Sequence, residues 1–132
     1  MFRKRLLLAL ISFVSISIGL IIYLTLRENT YIHLIVGETF CEKFYIEHSQ
    51  TNQFIIFIKY YLVDFLWCLS LVFALTSILY SFSKKLIIII SFVSFILGVI
   101  FEILQYYCLI NGTIDVADII MYLIASIVGS AI

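Results

Sequence analysis

Phe101–Ile120 reads FEILQYYCLINGTIDVADII and places the carboxylates Glu102, Asp115 and Asp118 and the amide Gln105 around one turn of an apolar chain. Asp64 is a fourth acidic residue set inside an apolar run. An ionised carboxylate in a membrane helix costs about 2.5–3.5 kcal/mol on insertion scales, so such groups pair with a counter-charge or serve a function. Three chemistries are open to them. They can hold a cation, share a proton as an acid–base pair, or cap helix ends, where carboxylates accept the first unpaired N–H groups.

The chain that must position these groups is 132 residues long, 64% hydrophobic and 12% charged, with a mean hydropathy of +1.21. Soluble domains carry about 25% charged residues, so the composition predicts an integral membrane protein of one domain. Four apolar runs, 6–26, 60–83, 86–110 and 114–132, approach the roughly 20 residues of a spanning helix. The expected fold is all-α, a four-helix transmembrane bundle. Its first helix is retained, because an apolar run of 21 residues exceeds the roughly 7–15 of a signal-peptide core.

Arg3, Lys4 and Arg5 precede the first run, and Lys84 and Lys85 separate the second from the third. The positive-inside rule puts both clusters, and with them both termini, on the cytoplasmic side. All eight acidic residues then fall on the outer side or in the outer half of the bilayer. The outer loop 27–53 contains His33 and His48 with Glu38, Glu42 and Glu47, but at no spacing typical of a zinc or copper site. Cys41 and Cys108 share the outer side, where a disulfide can form, although their spacing does not argue for one.

Asn111-Gly112 predicts the break that ends the third helix. Asp115 then fits the N-cap of the fourth, with Asp118 at N3. Small and polar residues recur every three or four positions in each run: Ser12, Ser15, Gly19, Tyr23; Asp64, Trp67, Ser70, Ala74, Ser77, Ser81; Ser91, Ser94, Gly98, Glu102, Gln105; and Asp115, Asp118, Tyr122, Ala125, Gly129. Such stripes let membrane helices approach closely and predict one shared interior. At 1.5 Å per residue Glu102 lies roughly 24 Å into a hydrocarbon core of roughly 30 Å, in the same layer as Asp64 and Asp118. Lys59 and Arg27 are the nearby cations that can reach this layer. Gln105, Tyr106, Tyr107, Tyr122 and Trp67 can add hydrogen bonds. The predicted ligand-binding set is therefore Asp64, Trp67, Glu102, Gln105, Asp115, Asp118 and Tyr122.

Glu102-x-x-Gln105, Gly112-Thr113-x-Asp115-x-x-Asp118 and Gly129 in the closing helix resemble the C-terminal signature of the VanZ-like family. Asp64-Phe-Leu-Trp67 resembles a second motif of its small members, with Val63 where a proline commonly stands. Thr113 replaces the arginine that many members carry in the turn. The resemblance covers about half the chain and implies a small bacterial membrane protein. The founding member of that family is linked to resistance against the glycopeptide teicoplanin.

Three functions follow from these readings. The first is an outer-leaflet site for a cation, a lipid head group or a glycopeptide-type amphiphile. The second is a structural or accessory subunit, and the third an acid–base enzyme acting on a lipid-linked substrate. The expected partners are membrane lipids and a small amphiphile or cation. No cofactor is expected, since no phosphate-binding glycine loop is present, and the oligomeric state is left open. The two basic clusters are accounted for by membrane topology, which excludes nucleic-acid binding.

Overall fold

The computed structural model describes residues 2–26, 52–79, 83–107, 109 and 115–131. The described residues are helical almost throughout, without strands. In chain order they form α1 (Phe2–Leu26), α2 (Gln53–Leu79), α3 (Lys84–Tyr106) and α4 (Val116–Ser130). Within α2, α-helical Gln53–Phe57 and Val63–Leu79 flank a π-helical stretch, Ile58–Leu62. The expected outer loop, with both histidines and Cys41, and the turn with Cys108, Asn111 and Gly112 lie outside the described residues.

Among the described residues, three helices, α1 to α3, are long and apolar enough to cross a membrane. Leucine, isoleucine, valine and phenylalanine side chains stand exposed along their outer faces, among them Leu7, Phe13, Ile21, Ile88, Phe92 and Phe101. Soluble monomers rarely carry contiguous apolar patches beyond a few hundred Å², so these faces belong against lipid. The molecule is a helical membrane protein. Helix α4 has 15 residues, about 22 Å of rise against a hydrocarbon core of about 30 Å. It is shorter than the span expected over 114–132.

Helix α2 starts seven residues earlier than the expected residue 60. Asn52 is its N-cap, and its side chain accepts the N–H of Phe54 at 3.0 Å. An asparagine at this position satisfies one of the four donors that a helix start leaves open. Lys59 consequently lies inside the helix rather than ahead of it. Helix α3 ends at Tyr106, short of the expected 110, and Tyr107 closes it by donating to the Ile103 carbonyl at 3.1 Å.

The polar stripes of α1, α3 and α4 are buried as their spacing predicts: Ser12, Ser15 and Gly19; Ser91, Ser94 and Glu102; Tyr122, Ala125 and Gly129. Around α2 the arrangement differs from a single interior. Helix α2 is central and packs against all three others, while α1 packs chiefly on α2. Cys68 and Ser70 are two residues, hence about 200°, apart around the helix. The Cys68 thiol donates to the Tyr122 carbonyl of α4 at 3.6 Å, whereas Ser70 bonds α1. Two seams therefore run down opposite sides of α2.

The α1–α2 seam is a reciprocal serine lock. Ser12 Oγ donates to the Ser70 carbonyl at 2.9 Å, and Ser70 Oγ donates to the Ser12 carbonyl at 3.0 Å. Lower down, Ser77 Oγ donates to the Arg5 carbonyl at 3.1 Å and the Arg5 guanidinium donates to the Ile78 carbonyl at 3.4 Å. Interhelical hydrogen bonds in membranes average about 0.6 kcal/mol. Ser70→Ala is expected to lose about that much, and Ser70→Leu more, because it also forces the backbones apart; thermal unfolding in detergent reads both. The Arg5 contact puts the basic start of α1 beside the last turn of α2, close to where α3 begins at Lys84. Both basic clusters thus occupy one end of the molecule, and the described carboxylates occupy the other.

Candidate functional site

Tyr122 organises the acidic end. Side chains on a helix lean toward its N-terminus, so the ring of Tyr122 lies along α4 toward Asp118 and Asp115. It can do so because residue 98 of α3 is glycine: a Cβ there would sit 2.7 Å from ring carbons of Tyr122. Cys68 and Ala125 pack around the ring, with Phe65, Leu69 and Phe95 behind them. The hydroxyl emerges between two carboxylates, 3.3 Å from Glu102 Oε1 and 3.4 Å from Asp64 Oδ1. One phenol thus joins α2, α3 and α4.

Glu102 is 1% exposed. An unpaired charge at that depth is heavily penalised, and two donors meet it. Oε1 faces the Tyr122 hydroxyl, while Oε2 accepts the backbone N–H of Asp115 at 3.4 Å. Asp115 is the N-cap of α4, as its place after Asn111-Gly112 predicts. Its Oδ1 accepts the Ala117 N–H at 2.9 Å, and its Oδ2 accepts the Tyr61 hydroxyl at 3.5 Å. In a capping box the N3 side chain reaches back to the N–H of the cap. Here Glu102, from another helix, takes that bond in place of Asp118.

Asp118 occupies the first turn of α4, on the face of Asp115 and Tyr122. Gln105 is half-buried in the last turn of α3. Tyr106 and Tyr107 are exposed and contact each other edge-on at 5.3 Å, as suits residues at a membrane–water interface. Trp67 lies on the other seam. It is 42% exposed and packs on Gly19 and on the Tyr23 ring of α1, 5.8 Å away.

The structure therefore gathers Asp64, Glu102, Asp115, Asp118 and Tyr122 and sets Trp67 apart from them. It adds Tyr61, which was not among the expected site residues although it lies three residues before Asp64 and so on the same helix face. Asp115→Ala is expected to cost about 1 kcal/mol through the lost cap and to speed amide hydrogen exchange in the first turn of α4 relative to α3.

Chemically, the site is built from oxygen atoms. Among the described residues, no three His, Cys, Asp or Glu side chains are set to hold a metal ion. Comparisons of the chain with protein-family models, with curated proteins and with solved structures found no match.

Proposed function

We propose that this chain is a VanZ-like protein of a bacterial envelope, with four membrane-embedded helices, both termini cytoplasmic and its acidic end in the outer half of the bilayer. In this reading the cluster of Asp64, Glu102, Asp115 and Asp118 recognises the cationic head of an amphiphile, while the apolar flanks of α3 and α4 accommodate its chain. The supporting observation is Glu102, a carboxylate 1% exposed that shares the Tyr122 hydroxyl with Asp64. Carboxylates bridged by a phenol are suited to an ammonium donor, which needs several acceptors and no closed coordination shell. The resemblance of Glu102-x-x-Gln105 and Gly112-Thr113-x-Asp115-x-x-Asp118 to the family signature extends the reading to glycopeptide-type amphiphiles.

The bond from the Asp115 N–H to Glu102 favours a second reading, in which the cluster only ties α3 to the start of α4. Sensitivity of a deletion strain to a panel of envelope-active antibiotics separates the two. Ligand recognition predicts that wild type restores resistance and that Glu102→Gln or Asp118→Asn, accumulating to equal levels, does not. Equal rescue by all three proteins refutes the ligand reading.

A further inference from the structure

Arg3, Lys4, Arg5, Lys84 and Lys85 are exposed and belong to the end of the molecule opposite the carboxylate cluster. The positive-inside rule accounts for their sign; their gathering is the work of specific bonds. The Arg5 guanidinium donates to the Ile78 carbonyl at 3.4 Å, and Ser77 Oγ donates to the Arg5 carbonyl at 3.1 Å. Both bonds fix the start of α1 against the last turn of α2. Six positions along the chain lead from Ile78 to Lys84, and α3 also packs on α2. The cations of α1 and α3 therefore flank the same end of α2.

Among the described residues, no acidic side chain belongs to this end. Asp64 stands 14 positions before Ile78 in α2, and Glu102 stands 17 positions beyond Lys85 in α3. These are about 21 Å and about 26 Å of helical rise, whereas screening at physiological salt acts over about 8 Å. Neither carboxylate offsets the cations. Directly beside them the surface turns apolar: Leu6 and Leu7 of α1, Leu79 of α2 and Ile88 of α3 are all exposed. Positive charge bordering such a wall is complementary to a molecule with an anionic head and hydrocarbon tails. A nucleic acid or an acidic soluble protein would match the charge and leave the wall uncovered.

We propose that this end is a binding site for an anionic phospholipid, whose phosphate sits between the cations of α1 and α3 while its acyl chains run along the apolar wall. Guanidinium and ammonium groups are strong donors to phosphate oxygens. Arg5, held on Ile78, sets the distance between the two helix starts, and Arg3, Lys84 and Lys85 supply the contacts. The site does not depend on what the carboxylate cluster binds at the other end.

Thermal unfolding of the full chain in non-ionic detergent tests this without regard to membrane orientation. The protein is titrated with dioleoylphosphatidylglycerol, with dioleoylphosphatidylcholine and with inorganic phosphate. Only the phosphatidylglycerol is expected to raise the midpoint. An equal rise with phosphatidylcholine, or no rise with any of the three, overturns the proposal. A rise with inorganic phosphate that matches the lipid overturns the part given to the apolar wall. Arg3→Gln and the double variant Lys84→Gln/Lys85→Gln change exposed side chains, and each is compared with its own lipid-free midpoint. At the usual contribution of a basic residue beside anionic lipid, the first should bind phosphatidylglycerol about fivefold more weakly and the second about thirtyfold. An undiminished response in both variants shows that these cations do not hold the lipid and refutes the site.

Discussion

Gly98→Ala is expected to destabilise the protein by about 1–3 kcal/mol, the usual range for overpacking a filled interior. The added Cβ would lie 2.7 Å from Cγ and Cδ2 of Tyr122, and that ring is 8% exposed, with Cys68 and Ala125 packed around it. The ring has nowhere to retreat, so α3 and α4 must separate or the hydroxyl must leave Glu102 and Asp64. Replacing glycine within a helix gains at most about 1 kcal/mol of propensity, which leaves the balance unfavourable. Gly19→Ala is the control. Its Cβ also comes within 2.7 Å of a ring, that of Trp67, but Trp67 is 42% exposed and can swing outward into lipid. There the propensity gain offsets the contact, and thermal unfolding in detergent should show a change near zero. A similar loss at both glycines would mean that the Tyr122 seat is no tighter than the Trp67 seat.

The second large effect is expected at Glu102. Glutamine keeps the shape of the side chain but has one oxygen where glutamate has two, and the structure uses both. Glu102→Gln must turn its –NH₂ group either to the Asp115 N–H, which then has no acceptor, or to the Tyr122 hydroxyl, which then has only Asp64 Oδ1 to donate to. A buried donor stripped of its acceptor costs about 1–3 kcal/mol. Glu102→Ala should be worse, because the Asp115 N–H loses its acceptor outright, the Tyr122 hydroxyl is left with Asp64 Oδ1 alone, and a void remains. Tyr122→Phe removes the hydroxyl alone and should cost less than either. In the double variant Glu102→Gln/Tyr122→Phe the losses should fall short of their sum, since the two groups share one bond. Strict additivity in thermal unfolding would mean that the 3.3 Å contact contributes nothing. The antibiotic panel reads function on the same variants and is interpretable where they accumulate to wild-type levels.

Membrane character, the helical class and the inward faces of α1, α3 and α4 were legible in the sequence. Apolar composition and a three-to-four residue spacing of small side chains depend only on local geometry and on the solvent. The capping role of Asp115 was legible for the same reason: a carboxylate just after an Asn-Gly break meets N–H groups of its own helix. Glu102 could be assigned to the inner face from its place in the stripe with Ser91, Ser94 and Gly98.

Its partners could not be read the same way, because they come from α4, and no pattern within α3 specifies them. The stripe on α2 misled for a related reason. Asp64, Trp67, Ser70 and Ser77 follow helical spacing, yet Ser70 and Ser77 bond α1 while Asp64 meets Tyr122 of α4. A central helix has two buried sides, and periodicity does not say which neighbour covers each. The π turn was invisible as well, since one extra residue in a turn leaves composition and hydropathy unchanged while rotating everything before it. The sequence by itself determined which residues avoid lipid, because that is a property of each side chain and its position on its own helix. Tertiary structure alone decided that Tyr122, passing over Gly98, joins Asp64 to Glu102, because that contact depends on how three separate helices are placed against one another.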